Sequence, residues 1–144
     1  MVDGSSSGFN RSKNQLGTTG QPAVVYFPAG TYSISSPLQL YVGTVLMGNA
    51  LNPPTIKASS SFNGDTMIYG KDPNHDSTIN FYIGIKNLII DSTAVDKSKV
   101  LKLLDWSVSQ ATQLANIIFQ MPNFSTGHTV SLKPLQTLIL PISS

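Results

Sequence analysis

Apolar residues in this chain come in short runs separated by turn-forming residues. The runs fall at 24–27 (VVYF), 44–47 (TVLM), 66–69 (TMIY), 85–90 (IKNLII) and 114–119 (LANIIF). Each is too short for a stable helix and rich in β-branched or aromatic side chains, which predicts buried strands. After the first run, Pro28 cannot donate to a ladder and Gly30 can take a positive φ, so 28–30 should turn the chain. Residues 31–34 (TYSI) then resume a strand. The first four runs begin roughly twenty residues apart, which predicts a solenoid of about twenty residues per coil, each coil burying its apolar side on the next.

Two runs superpose on each other. Residues 85–90 can be laid over 114–119, with Asn87 and Asn116 in register. In a stacked coil, an Asn at a corner can hydrogen-bond its equivalent one rung away and satisfy backbone groups exposed by the turn. Both residues are therefore read as structural. A further strand is expected over 100–106, followed by a helical turn over 107–113. The fold class that follows is all-β, a partial right-handed parallel β-helix of four to five coils in a single solenoid. Its expected division is an irregular lead-in at 1–21, the β-helix at 22–129 and an atypical tail at 130–144. That tail, VSLKPLQTLILPISS, has no Gly or Asn corner and carries Pro134 and Pro141. It reads as one more strand at 137–140 or as sequence foreign to the fold.

Composition narrows the chemistry. Charged residues make up 11% of the 144, and the net charge of +2 is too small and scattered for a nucleic-acid footprint. There is no cysteine, so neither a disulfide framework nor a cysteine-zinc cluster is expected. Nothing resembles a signal peptide, and no apolar run is long enough to span a membrane as a helix. All seven acidic residues are aspartates: Asp3, Asp65, Asp72, Asp76, Asp91, Asp96 and Asp105. A mechanism that needs a glutamic acid cannot find one here.

The acids do not assemble into a recognisable centre. Asp91 and Asp96, like Asp72 and Asp76, form pairs with no third acid beside them, so they read as solvated loop residues and no metal is expected. His75 and His128 read as loop residues, not general bases. Trp106, the only tryptophan, is either a core residue or an aromatic platform for a sugar ring. Asn10 and Asn123 begin glycosylation tripeptides, which matter only if the protein is secreted.

The motif YFPAGTY (26–32) resembles the entry coil of the pectate-lyase-like superfamily. With PAVVYFPAGTYSISSPL (22–38), LMGNALNPPTIKASSSF (46–62), IKNLIIDSTAV (85–95) and DWSVSQATQLANIIFQM (105–121) in this order, the chain resembles fungal glycoside hydrolase family 55, the exo-β-1,3-glucanases. The resemblance covers about 22–128. It implies two tandem β-helices with a cleft between them, an extracellular location, and removal of terminal glucose from β-1,3-glucan with inversion. It also implies that the general acid is a glutamate of the second β-helix, while glutamines of the first hold water or substrate. By motif position these are Gln110 and Gln120, with Trp106 beside them. No cofactor is implied, and the oligomeric state stays open. The resemblance also implies a Gly-Asp-Gly-type opening, often with cysteines, before the 22–32 match and a glycine-rich coil after 127–129; the departures from these at both edges suggest a truncated or mis-spliced gene product, inactive by itself. Two other readings stand beside this one: a non-catalytic carbohydrate-binding β-helix of the tailspike kind, and a polysaccharide lyase.

Overall fold

The computed structural model describes residues 23–74, 76, 80, 82–108 and 111–132, together with the backbone of 142–143. Among these residues there are eleven strands and no helix. The first coil contains β1 (Ala23–Phe27), β2 (Thr31–Ile34) and β3 (Leu38–Gln39). The second contains β4 (Thr44–Gly48), β5 (Thr55–Ala58) and β6 (Thr66–Tyr69). The third is built from β7 (Gly84–Asp91) and β8 (Leu101–Trp106), and the fourth from β9 (Gln113–Gln120) and β10 (His128–Leu132). β11 (Ile142–Ser143) opens a fifth. Every pairing is parallel, so the chain is a parallel β-helix with three faces.

Register explains the core. On the first face, Val25, Leu46, Ile85 and Leu114 stack rung upon rung. On the second face the column is Tyr32, Ile56, Ile90 and Phe119. On the third it is Leu38, Ile68, Leu104 and Val130. Leu46, Ile85, Ile56, Ile90, Phe119, Ile68 and Leu104 are wholly buried. Full burial of such a side chain is worth about 1.5–3 kcal/mol, so these columns hold the coils together. Because strand side chains alternate, the residues between them point outward and supply the three outer faces.

The corners follow from backbone freedom. In coils one and two the first and second faces are separate strands, joined through residues 28–30 (Gly30 at φ 150°) and 49–54. In coils three and four one strand crosses the corner unbroken, bending at Asn87 (φ 54°) and Asn116 (φ 53°). Asn tolerates this left-handed conformation better than other non-glycine residues. At Gly48 a Cβ would collide with the Asn87 carbonyl oxygen and lie 2.5 Å from Pro54 Cδ, so a side chain has no room there.

Several expectations need correcting. The run 66–69 lies on the third face, whereas 24–27, 44–47 and the start of the 85–90 run share the first-face stack, and the end of that run turns onto the second face. The coil is therefore not a uniform twenty residues: the step from Ala23 to Thr44 is 21, from Val45 to Gly84 it is 39, and from Gly84 to Gln113 it is 29. Corner loops absorb the difference because loop-closure cost grows slowly with length. No helical turn occupies the described part of 107–113; Gln113 already begins β9. β10 runs through the boundary expected between 129 and 130, with Val130, Ser131 and Leu132 paired to Leu104, Asp105 and Trp106. The expected lead-in at 1–21 and the strand at 137–140 lie outside the described residues.

Candidate functional site

The outward row at the end of the second face brings Ser33, Lys57, Asp91 and Gln120 into register on successive rungs. Each sits one position beyond a core residue, respectively Tyr32, Ile56, Ile90 and Phe119, so alternation turns it outward. Lys57 Nζ lies 3.2 Å from Asp91 Oδ2, while the Thr93 amide donates to Asp91 Oδ1 at 2.7 Å. Lys57 Nζ also reaches Thr93 Oγ1 at 3.4 Å. Burial of Asp91 pulls its pKa upward, but the Thr93 hydroxyl and amide and the Lys57 ammonium outweigh it, and the result is below the ordinary carboxylate value. Asp91 is thus a fixed anion. It can orient a hydroxyl or a water, but it is poorly suited to donating a proton.

Gln120 is half-buried beside it, and its backbone is pinned from the inner side. The Ser92 amide donates to the Gln120 carbonyl at 2.9 Å, and Ser92 Oγ lies 3.2 Å from the same oxygen. Ser92 Oγ is also 2.8 Å from His128 Nδ1, and His128 Nε2 is 2.9 Å from the Asp96 carbonyl oxygen. A carbonyl only accepts, so Nε2 carries a proton. Ser92 is fully buried, which leaves its hydroxyl inaccessible as a nucleophile; the contact ties coil three to coil four. His128, expected in a loop, is the first residue of β10 and is buried. No local signal joins it to Ser92, since 36 residues separate them.

The other expected positions fare differently. Trp106 is completely buried at the end of β8, so it offers no ring face to a sugar, and the platform reading is corrected to a core role. Gly70 makes this possible: a Cβ there would come within 2.5 Å of Trp106 Cε3. Gln110 and His75 lie outside the described residues. Asp72 is not a solvated loop residue but fully buried, with Oδ1 accepting from the Asn74 amide at 2.9 Å and Oδ2 accepting from the Val42 amide at 3.2 Å. Asp91 is likewise covered, not solvated. Asp96 does remain a turn residue, and the Ser98 hydroxyl and amide bonding to it hold its pKa low. Among the described residues, no group of three or more His, Asp or Glu side chains could hold a metal ion.

Residues 6–136 match the family model described as rhamnogalacturonase A/epimerase, pectate lyase-like. The chain is similar to a probable glucan endo-1,3-beta-glucosidase of Arthroderma benhamiae, with 43% identity over 122 residues, 81% of this chain and 14% of that protein. It is 44% identical over 97 residues to glucan endo-1,3-beta-glucosidase BGN13.1 of Trichoderma harzianum, covering 65% of this chain and 13% of that one. It is 39% identical over 117 residues to a glucan 1,3-beta-glucosidase of Cochliobolus carbonum, 76% of this chain and 15% of that protein. The chain thus spans 13–15% of the length of these relatives.

Proposed function

Since the chain belongs to the rhamnogalacturonase A/epimerase, pectate lyase-like family, we propose that it is a β-1,3-glucan-engaging β-helix module of a glucanase, acting outside the cell. The observation that carries the reading is 43% identity, over most of this chain, to a protein named a probable glucan endo-1,3-beta-glucosidase. The row Lys57–Asp91–Gln120 agrees with it: Lys57 and Gln120 are partly exposed, on either side of an Asp91 carboxylate that is covered and held by Lys57 and Thr93.

In this reading the chain's residues position and do not protonate. Hydrolysis with inversion needs a carboxylic acid at the leaving oxygen and a water held on the opposite face of the sugar, the two carboxyl groups standing about 6.5–9.5 Å apart. A Gln side chain holds a water through its carbonyl oxygen and donates to a sugar hydroxyl through its amide, but has no proton to give. Gln120 takes that role here, and Gln110 is assigned to it by motif position. Asp91 is held ionised by Thr93 and Lys57, and Asp105 is ion-paired with Lys102. The acid would come from a residue outside these 144.

The test is to incubate the purified chain with laminarin and assay released glucose and shorter oligosaccharides. Release at the buffer rate is expected, since a missing general acid costs about 10²–10⁴-fold and lost positioning adds to it. Turnover well above buffer, abolished by Asp105→Asn, would overturn the assignment. Binding of laminarioligosaccharides should persist and weaken in Gln120→Ala.

A further inference from the structure

Asn63 and Gly64 form the only Asn-Gly pair in the sequence, and they lie in the loop that leads from β5 into β6. The chain is held on both sides of this pair. The Asn63 amide donates to the Ser35 carbonyl at 2.8 Å, which ties coil two to coil one. Lys99 Nζ donates to the Phe62 carbonyl, and the Lys102 amide donates to the Asp65 carbonyl at 2.7 Å. Between these anchors the Asn63 carbonyl, the Asn63 side-chain amide and the Gly64 N–H have no hydrogen-bond partner among the described residues. Asn63 is also exposed. Asn49, Asn80, Asn87 and Asn116, by contrast, are each bonded through the side chain.

Glycine is required at position 64. Its φ is 149°, and a Cβ there would stand 2.8 Å from Pro37 Cγ and 3.3 Å from Phe62 Cε1. A side chain at this position would screen the backbone nitrogen, and the fold excludes one. An unscreened nitrogen therefore follows directly on an exposed, unbonded asparagine.

From this arrangement we propose that Asn63 is a site of spontaneous covalent modification, converted through a cyclic imide to isoaspartate and aspartate. The Gly64 nitrogen loses its proton to solvent base and attacks Asn63 Cγ, closing a succinimide ring. The Cγ–Nδ2 bond breaks, and Nδ2 leaves as ammonia with a proton taken from solvent. Water then opens the ring at either carbonyl. Cleavage of the new N–Cγ bond leaves an aspartate. Cleavage of the original peptide bond routes the main chain through Cβ and Cγ, as isoaspartate. The sum is amide plus water to carboxylate plus ammonium, with no change of oxidation state. The reaction needs no enzyme or ligand, and it holds whether or not the chain engages glucan.

The products strain the coil in two ways. Either one adds a negative charge near Asp65, which already accepts from Tyr69 Oη at 2.7 Å. Isoaspartate also inserts one carbon between two fixed points, the Asn63 amide on Ser35 and Gly64 packed against Pro37. The tie between coils one and two is the contact that yields.

The experiment stores the purified full chain in warm, mildly alkaline buffer made with heavy-oxygen water. Peptide mass spectrometry and isoaspartyl methyltransferase labelling follow the products. The Asn63 peptide should lose ammonia before any other asparagine peptide, take up one heavy oxygen, and give more isoaspartate than aspartate. Its rate should lie within about tenfold of that in the urea-unfolded chain, since no hydrogen bond has to open first. The modified fraction should unfold about 3 °C below the fresh chain, the equivalent of one lost hydrogen bond in a domain of this length. Asn63→Gln removes no side-chain bond, so it should fold like the parent, abolish the labelling and keep its midpoint through storage. Conversion in urea but none in the folded chain would overturn the site. So would aspartate formed without isoaspartate, or another asparagine reacting first.

Discussion

Asn116 Nδ2 donates to Asn87 Oδ1 at 3.0 Å, one rung apart, and both residues bend a continuous strand through positive φ. Asn87 Nδ2 in turn reaches the Gly48 carbonyl at 3.4 Å, so the ladder spans three coils. The same side chain that tolerates the corner also satisfies the polar groups that the corner exposes. Asn87→Ala should therefore cost more than Asn116→Ala, about 2–3 kcal/mol against about 1–2, because it removes two contacts and leaves Asn116 unpaired. Asn116→Gly should recover the conformational part alone. Urea unfolding of the three variants checks the ranking.

Gly48→Ala places a methyl group against the Asn87 carbonyl and the Pro54 ring, both parts of rigid corners. Relief requires the coils to separate, so a loss of about 1–3 kcal/mol or more is expected. A thermal unfolding midpoint equal to that of the parent chain would contradict it.

Trp106→Phe should leave glucan binding unchanged while lowering stability, since the ring is buried under Gly70 and not displayed. Trp106→Ala should cost about 3–5 kcal/mol by opening a cavity. Calorimetric unfolding read beside laminarihexaose titrations separates the two roles; lost affinity in a folded Trp106→Phe variant would restore the platform reading.

The Lys57–Asp91 pair makes a prediction about acid. Asp91 has a folded pKa below its ordinary 3.8, so its contribution is fully present above that value and is lost as pH falls through the lowered folded value. Stability should decline on acidification below about pH 4, and the decline should be shallower in Asp91→Asn. Urea midpoints measured between neutral and strongly acidic pH test this; identical slopes would remove Asp91 from the acid response.

Local chemistry makes some features legible in the sequence. The strands at 24–27, 44–47, 66–69, 85–90 and 114–119 follow from short apolar runs rich in β-branched and aromatic residues, and Pro28 and Gly30 announce the first corner. The pairing of Asn87 with Asn116 is visible because two coils share one pattern in one register. The absence of glutamate is likewise a property of the sequence alone, and it bounds the chemistry whatever the fold.

Only the tertiary structure decided which runs share a face. Corner loops of unequal length break the apparent period, so 66–69 cannot be told from a first-face strand by spacing. The short strands β3 and β5 carry little local signal, because pairing with neighbouring coils, more than their own sequence, makes them strands. Burial of Trp106 depends on Gly70 lying against its ring, 36 residues earlier in the chain. Contacts such as Ser92–His128 and Lys57–Asp91 join residues more than thirty positions apart. Stacking of coils creates these contacts, and no window of local sequence contains both partners.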